Sequence, residues 1–416
     1  MNRQPFTKPR LRIPSWVASA ILGATLGPAA LAWGQAPSQP APLDKGIVNS
    51  APAAQAPAAP PVDAATAAPG LEAVVQPAGC STCGSSLGGG IGGCSSCGSG
   101  GACVPGHTNE FCDGTCGWLG DNFVGRSLAG LYQCICCPDP CYEGKWLPIA
   151  DSAFFVDEAR PQTQVRFEFD AGIGLQHPDR AEYYWSEINV RGPSKSVGTP
   201  VDYQSLNLYT EVAAGGFGAF VEMPYVAMES DTTGHIGSGF GDVTVGTKSM
   251  LLDCELLQST FEFKTFIPAG IVSEGLGTGH CSLEPSLLFN LKISSEMYSQ
   301  AQFSYWIPIG GDSGYQGNIY HTHLSLNRTI WHPTPGIQLV ATAEFQEWSI
   351  LSGGFNADPG NHMTFVSTTY STIVDLGPGL RLFVCEKLDL GVGAAFALTG
   401  PRWEEELIRA ELRWRF

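Results

Sequence analysis

Residues 403–416 read WEEELIRAELRWRF, and they restrict the fold more than any other stretch. Ile408, Ala410, Leu412, Trp414 and Phe416 are apolar, and the residues between them are Arg409, Glu411, Arg413 and Arg415. Successive side chains of a strand point to opposite faces, so the pattern predicts a strand with one apolar and one charged face. A charge at every second position cannot line the dry interior of a soluble sandwich, where each unpaired charge costs several kcal/mol. A closed sheet that is apolar outside and wet inside accommodates it.

The same alternation begins at Thr163. Val165, Phe167, Phe169, Ala171, Ile173 and Leu175 alternate with Arg166, Glu168, Asp170, Gly172 and Gly174. Further strands are predicted near 203–213, 217–228, 240–252, 256–268, 281–293, 297–309, 317–331, 335–348, 368–385 and 388–398, followed by the terminal one. That makes twelve, each close to the roughly ten residues a tilted strand needs to cross an apolar layer. The connections alternate in length: tight turns near 214–216, 253–255, 294–296, 332–334 and 386–387 separate longer segments such as 176–202, 229–239, 269–280 and 349–364. Short turns on one side and long loops on the other characterise outer-membrane barrels, and a sandwich has no reason to sort loops this way. The predicted fold is all-β: an antiparallel up-and-down transmembrane β-barrel of about twelve strands over 160–416. Aromatic residues near strand ends, among them Trp185, Tyr225, Tyr298, Trp306, Tyr320, Trp331, Trp348, Trp403 and Trp414, are expected in two interfacial girdles.

The N-terminal third is different. Arg3, Lys8, Arg10 and Arg12 precede an uncharged, mostly apolar stretch of small residues, and Ala32-Trp33-Gly34 fits the small-x-small rule for cleavage. Residues 1–34 therefore read as a secretory signal peptide. Residues 35–79 are dominated by Ala and Pro and read as a disordered linker. Residues 80–145 form a cysteine-rich periplasmic segment holding Cys80, Cys83, Cys94, Cys97, Cys103, Cys112, Cys116, Cys134, Cys136, Cys137 and Cys141. Its two CxxC pairs have the spacing of zinc knuckles. An exported, Gly-rich segment with little apolar content more often relies on disulfides, and that assignment is favoured here. Eleven is an odd number. Cys254 and Cys385 fall in tight turns on the same side as the segment, and one of them is expected to pair with it and tie it under the barrel.

The net charge is −17, and it moves to about −21 once an export signal carrying four cations and no acid is removed. Nucleic-acid binding, which needs a basic face, is excluded on this ground. The chain ends on Phe416 with Trp414 two residues before it. This resembles the C-terminal signal that barrel-assembly machinery recognises on the last strand of outer-membrane proteins. The expected location is the outer membrane of a Gram-negative-type envelope, in contact with its lipid.

GSGFGDVTVGTKSMLL (237–252), FEFKTFIPAG (261–270) and GLGTG (275–279) together resemble the outer-membrane family associated with the meta-pathway of phenol degradation. The matching residues are Gly239, Gly241 and Asp242, then Pro268 and Gly270, then Gly277, Thr278 and Gly279. The resemblance covers roughly 160–416 and implies a transporter-like barrel passing small solutes, hydrophobic or aromatic ones included. On physical grounds the glycines suit tight backbone geometry, and Pro268 ends a strand where no ladder donor is needed.

Pore-lining candidates on the charged face are Arg166, Glu168, Asp170, Glu222, Glu262, Lys264, Glu344, Arg409, Glu411 and Arg413. They set selectivity if the lumen is open, or fill it as an ion-pair network if it is narrow. His321 and His323 share a strand face, but two histidines without a third ligand read as solvated lumen residues and not as a metal site. No nucleophile, base and orienting partner stand out, so catalysis and cofactors are not expected. The expected function is an outer-membrane channel. The alternative is a structural envelope protein whose cysteine-rich segment anchors or cross-links the membrane, and a hydrolase is a distant third.

Overall fold

The computed structural model describes residues 146–176, 185–187, 190–194, 200–230, 234–356, 365–367, 371–385, 387–400 and 402–416, with Gly125 and Leu128. The predicted signal peptide, the linker and all eleven cysteines of 80–145 lie outside the described residues.

Fifteen strands are described: β1 (Gln164–Leu175), β2 (Val201–Ala214), β3 (Phe217–Ser230), β4 (Gly234–Phe240), β5 (Val243–Asp253), β6 (Leu257–Ile267), β7 (Cys281–Ser294), β8 (Met297–Ile309), β9 (Ile319–Thr334), β10 (Ile337–Ile350), β11 (Gly354–Asn356), β12 (Phe365–Ser367), β13 (Thr372–Val384), β14 (Leu388–Ala397) and β15 (Glu406–Arg415). All but β11 and β12 join one antiparallel sheet in chain order, with β4 and β5 both pairing with β3, and β1 pairs with β15 to close it. The closed ring has twelve staves, because β4 and β5 share one. β4 pairs with the upper half of β3 (Tyr225–Ser230) and β5 with the lower half (Phe217–Glu222). The strand predicted over 240–252 is β5, which begins at Val243, and β4 lies within the connection predicted over 229–239. β11 and β12 form a small hairpin inside the long connection between β10 and β13.

The ladder alternates as the sequence requires. On β1, Gln164, Arg166, Glu168 and Asp170 are buried inward while Phe167 is exposed outward. On β15, Glu411, Arg413 and Arg415 are buried and Ile408, Trp414 and Phe416 are exposed. Outward apolar residues pair across neighbouring strands, as in the row Phe261, Leu287 and Phe303. The outer face is largely apolar, and most of the inner wall away from the long-loop end is polar and charged. This is the inverse of a soluble protein, and it matches a chain whose outside is solvated by hydrocarbon.

The aromatic girdles are only partly realised. Tyr225, Tyr320, Trp331 and Trp414 are exposed on the outer face, but Trp185, Tyr298, Trp306 and Trp403 are buried within the barrel. Position near a strand end says nothing about face; the parity of the ladder decides it, and Tyr298 and Trp306 share parity with the inward Gln300 and Gln302.

Candidate functional site: a plugged lumen

The segment between Trp146 and Thr163 has no strand alternation. It runs from a Pro-led 3₁₀ turn, Pro148–Asp151, through the apolar run Ala153-Phe154-Phe155-Val156 to Pro161. It lies inside the barrel. The chain enters at the tight-turn end, where Trp146 meets Tyr298 with ring centroids 5.7 Å apart. Ile149 and Ala150 there form a small apolar cluster with Tyr298, Val340 and Phe383. It reaches its apex at Phe154–Asp157 and returns to the same end, where the Gln162 backbone N–H donates to Glu211 Oε1 at 3.2 Å. It is a re-entrant plug.

A segment in irregular conformation must find partners for its backbone groups once it is buried. The inner wall supplies them. Glu344 on β10 accepts the N–H groups of Phe154 at 2.8 Å and Phe155 at 2.9 Å. Arg381 on β13 donates to the carbonyls of Ser152 and Ala153, Arg413 on β15 to those of Asp151 and Ala153, and Arg409 to that of Phe154. Gln300 and Gln302 on β8 accept the N–H groups of Ala153 and Asp157. His323 faces the carbonyl of Phe155 at 2.6 Å.

The Phe154 ring occupies a niche made of glycine. A Cβ at Gly379, Gly391 or Gly393 would come within 2.4, 2.7 or 2.8 Å of that ring. No side chain could be added there without moving the ring, and the Arg381 guanidinium lies 4.2 Å from its centroid on another side. β13 and β14 are therefore cut to receive this residue.

Below the apex the charges pair densely. Arg381 contacts Asp389 at 2.6 Å and Glu411 at 2.7 Å, and Arg413 contacts Glu411 at 2.7 Å and Glu158 of the plug. Arg415 bridges to Asp389. Lys248 lies between Glu211 at 3.5 Å and Glu262 at 3.8 Å. Lys264 pairs with Asp157 of the plug and with Glu284 at 3.4 Å. Each such group is too costly to bury alone, so removing one partner strands the other.

Above the apex lies a chamber of about 280 Å³. Its lower wall carries Arg166, Glu168, Glu222, Lys264, Glu284 and Arg409; its upper wall carries Leu175, Tyr203, Val226, Phe266, Trp348 and Leu407. The upper residues belong to one buried apolar cluster that also includes Trp185, Met228, Leu276, Trp306 and Ile373. This apolar collar sits at the long-loop end.

All ten residues proposed as pore lining thus sit in the lumen. Arg166, Glu168, Asp170, Glu222, Lys264 and Arg409 face the chamber, while Glu262, Glu344, Glu411 and Arg413 belong to the ion-pair layer or to the grip on the plug. Sequence reasoning passed over Arg381 and Lys248, although both keep the inward parity of their strands, and it passed over the whole plug. The available signal for the plug was an apolar tetrad between Pro148 and Pro161 without period 2. His321 and His323 lie with ring centroids 4.8 Å apart, and among the described residues no group of three or more potential ligands is placed to hold a metal.

The family-like residues converge on one knot at the loop end. Asp242 accepts the N–H of Gly270 at 3.0 Å, the N–H of Thr278 at 2.8 Å and the Thr278 hydroxyl at 2.9 Å. The connection 268–280 is so held along the far edge of β4. A Cβ at Gly270 would lie 1.9 Å from the Leu276 carbonyl oxygen, and one at Gly277 2.5 Å from Asp242 Oδ1. Gly279 has φ +71°, a conformation that favours glycine. Arg191 reaches the Gly279 carbonyl at 3.1 Å and Asp312 Oδ1 at 2.7 Å, tying the first long loop to the same knot. Burial lowers the pKa of neighbouring His280.

Of the two turn cysteines, Cys254 is disulfide-bonded, whereas Cys385 is a free, exposed thiol, as is Cys281 at the start of β7.

No protein family description matches this chain, and no curated protein does. Among solved structures it is similar to an outer membrane channel from Pseudomonas putida F1, at 10% identity and a TM-score of 0.43, over 64% of this chain and 99% of that one. It is also similar to the KdgM porin, at 7% identity and 0.32 over 61% of this chain and 99% of that one. For the NanC porin the values are 8% and 0.34, over 61% and 100%. Likenesses at these values place no function on the chain; that has to come from its own lumen.

Proposed function

We propose that this chain is an outer-membrane channel, resting in a closed state, for small solutes with hydrophobic or aromatic ones included. The observation that carries the reading is the nature of the obstruction. The lumen is blocked by a re-entrant segment held through its own backbone, and above it the wall side chains leave a chamber of about 280 Å³. A barrel serving only as a scaffold needs no chamber and can be filled by wall side chains. The polar inner wall supports the ten lumen residues as selectivity determinants once the plug moves. The largely apolar outer face supports insertion in lipid, and exposed Phe416, just after β15, supports recognition by barrel-assembly machinery. The Asp242 knot supports the resemblance to the phenol meta-pathway family, since the residues that carry it perform one joint task.

Planar-bilayer recording tests this. The full chain is expected to show rare or no openings, and a variant with 148–161 replaced by a short Gly/Ser linker steady, salt-dependent openings. Silence of a folded plug-less barrel would reject the channel reading.

A second reading is favoured by Cys254. With Cys281 and Cys385 free, every remaining cysteine of the sequence lies in 80–141, so the bond supports a cysteine-rich segment covalently tied to a tight turn of the barrel. In this reading 1–34 directs export, 35–79 spaces, and 80–145 anchors or cross-links the envelope. Loss of envelope integrity on deleting 80–141, with conductance unchanged, would favour it.

A further inference from the structure

The wall around the plug apex is organised as a peptide-binding site. Side chains from β8, β9, β10, β13 and β15 take up the backbone of residues 151–157. The N–H groups go to Glu344 and to Gln300 and Gln302, and the carbonyls face three arginines and His323. These contacts hold a main chain of any sequence. Side-chain shape is read at the glycine niche that receives the Phe154 ring. Main-chain hydrogen bonds for affinity, joined to a pocket that selects a residue, are how proteins recognise extended peptides.

The niche is shaped for a ring. Gly379, Gly391 and Gly393 lack the positive φ that favours glycine, so backbone conformation does not call for glycine at any of them. At Gly391 and Gly393 an added Cβ would meet the Phe154 ring before anything else, and at Gly379 the ring shares that place with the Thr342 hydroxyl. Phe154 itself is 2% exposed, so the slot is filled by this one side chain. The apex is also what a solute in the chamber meets, because Phe155 and Arg409 both line it, with the Arg409 guanidinium 4.8 Å from the Phe155 ring centroid.

We infer that this wall is a binding site for a short uncharged peptide with an aromatic side chain, and that Ala153-Phe154-Phe155 is its resident, tethered occupant. A free peptide of that chemistry takes the place of the apex, its ring in the niche and its amide groups on Glu344 and the arginines, and so unlocks the lumen. The site stands on the contacts of the apex. The unlocking rests on the channel reading, and it names the class of solute that triggers it.

A tethered segment competes at a high effective concentration, so the site is tested with the plug removed or weakened. Two forms of the full-length chain serve: one with 148–161 replaced by a Gly/Ser linker, and the single substitution Phe154→Ala, which vacates the niche and leaves the ladder alone. Calorimetry follows acetyl-Ala-Phe-Phe-amide, the same peptide with leucine in the middle, and the same peptide methylated on both phenylalanine nitrogens. The parent peptide is expected to bind about tenfold or more tightly than the leucine peptide, which fits the slot poorly, and than the methylated one, which has no N–H for Glu344. Adding Gly391→Ala should erase the margin of phenylalanine over leucine. Equal binding of the three peptides, or binding of none, overturns the inference, and Phe154→Ala decides it where the plug-less chain fails to fold. Peptide binding by a plug-less barrel that is silent in bilayers would reject the channel reading and leave the peptide site standing. A conducting plug-less barrel that ignores the peptides would keep the channel and remove the site.

Discussion

Glu344 holds the plug through its backbone. Its two oxygens take two consecutive backbone N–H groups, a contact that any sequence at 154 and 155 could make, so the specificity of the apex lies elsewhere. It lies in the fit of Phe154 into the niche at Gly379, Gly391 and Gly393. Hydrogen bonds to a charged group contribute about 1.5–3 kcal/mol, so Glu344→Ala should loosen the apex by about that much and raise open probability in bilayers by at least tenfold. Thermal unfolding should shift far less, because the ladder does not depend on this residue. An unchanged open probability would show that the glycine niche alone holds the plug. At this scale much was legible: strand parity alone directs Arg166, Glu168 and Arg409 inward. Who pairs with whom was not, because Arg413 meets Glu158 across 255 residues of sequence, and no local pattern encodes such a contact.

At the scale of elements, alternation and turn spacing carry the barrel, since a period of two with one apolar face has a single stable use in a closed sheet. The plug escaped because an irregular segment has no period to detect. β4 escaped for a related reason: GHIGSGF over 234–240 holds three glycines and reads as part of a loop, and Asp242 just after it organises the connection after β6. Asp242→Ala should remove three hydrogen bonds to one carboxylate, leaving the N–H of half-buried Gly270 and that of buried Thr278 unpaired. A loss of about 2–4 kcal/mol in denaturant unfolding is expected, together with faster proteolysis within 268–280. Asp242→Asn, which keeps one acceptor, should fall between the two. If Asp242→Ala behaves as the unaltered protein, the knot is decorative.

For the whole molecule the decisive asymmetry is between faces. Leu287 lies midway along β7 on the outer side, flanked by Phe261 and Phe303, and no polar group of the wall can reach it. Leu287→Arg should cost about 2–4 kcal/mol if the row sits at the middle of a bilayer, read from reversible unfolding in liposomes. In a chain solvated by water on that face the substitution would be neutral or helpful, which makes this a direct test of what surrounds the barrel. The sequence conveyed this asymmetry well because it is repeated on every stave, whereas the chamber depends on where a dozen inward side chains stop short of one another.

The pairing of β1 with β15 sets the order of events in biogenesis. The two strands are joined in register from Gln164 with Arg415 to Ile173 with Glu406, so the ring cannot shut until β15 has been made and brought to β1. Until then β1 offers an open edge to any passing strand, the situation in which chaperones are needed and misassembly is commonest. Arg409 and Arg413, which grip the carbonyls of residues 151, 153 and 154, arrive on that same last strand. The stopper can therefore be locked in only as the vessel is completed, and a nascent barrel never exists in a sealed form.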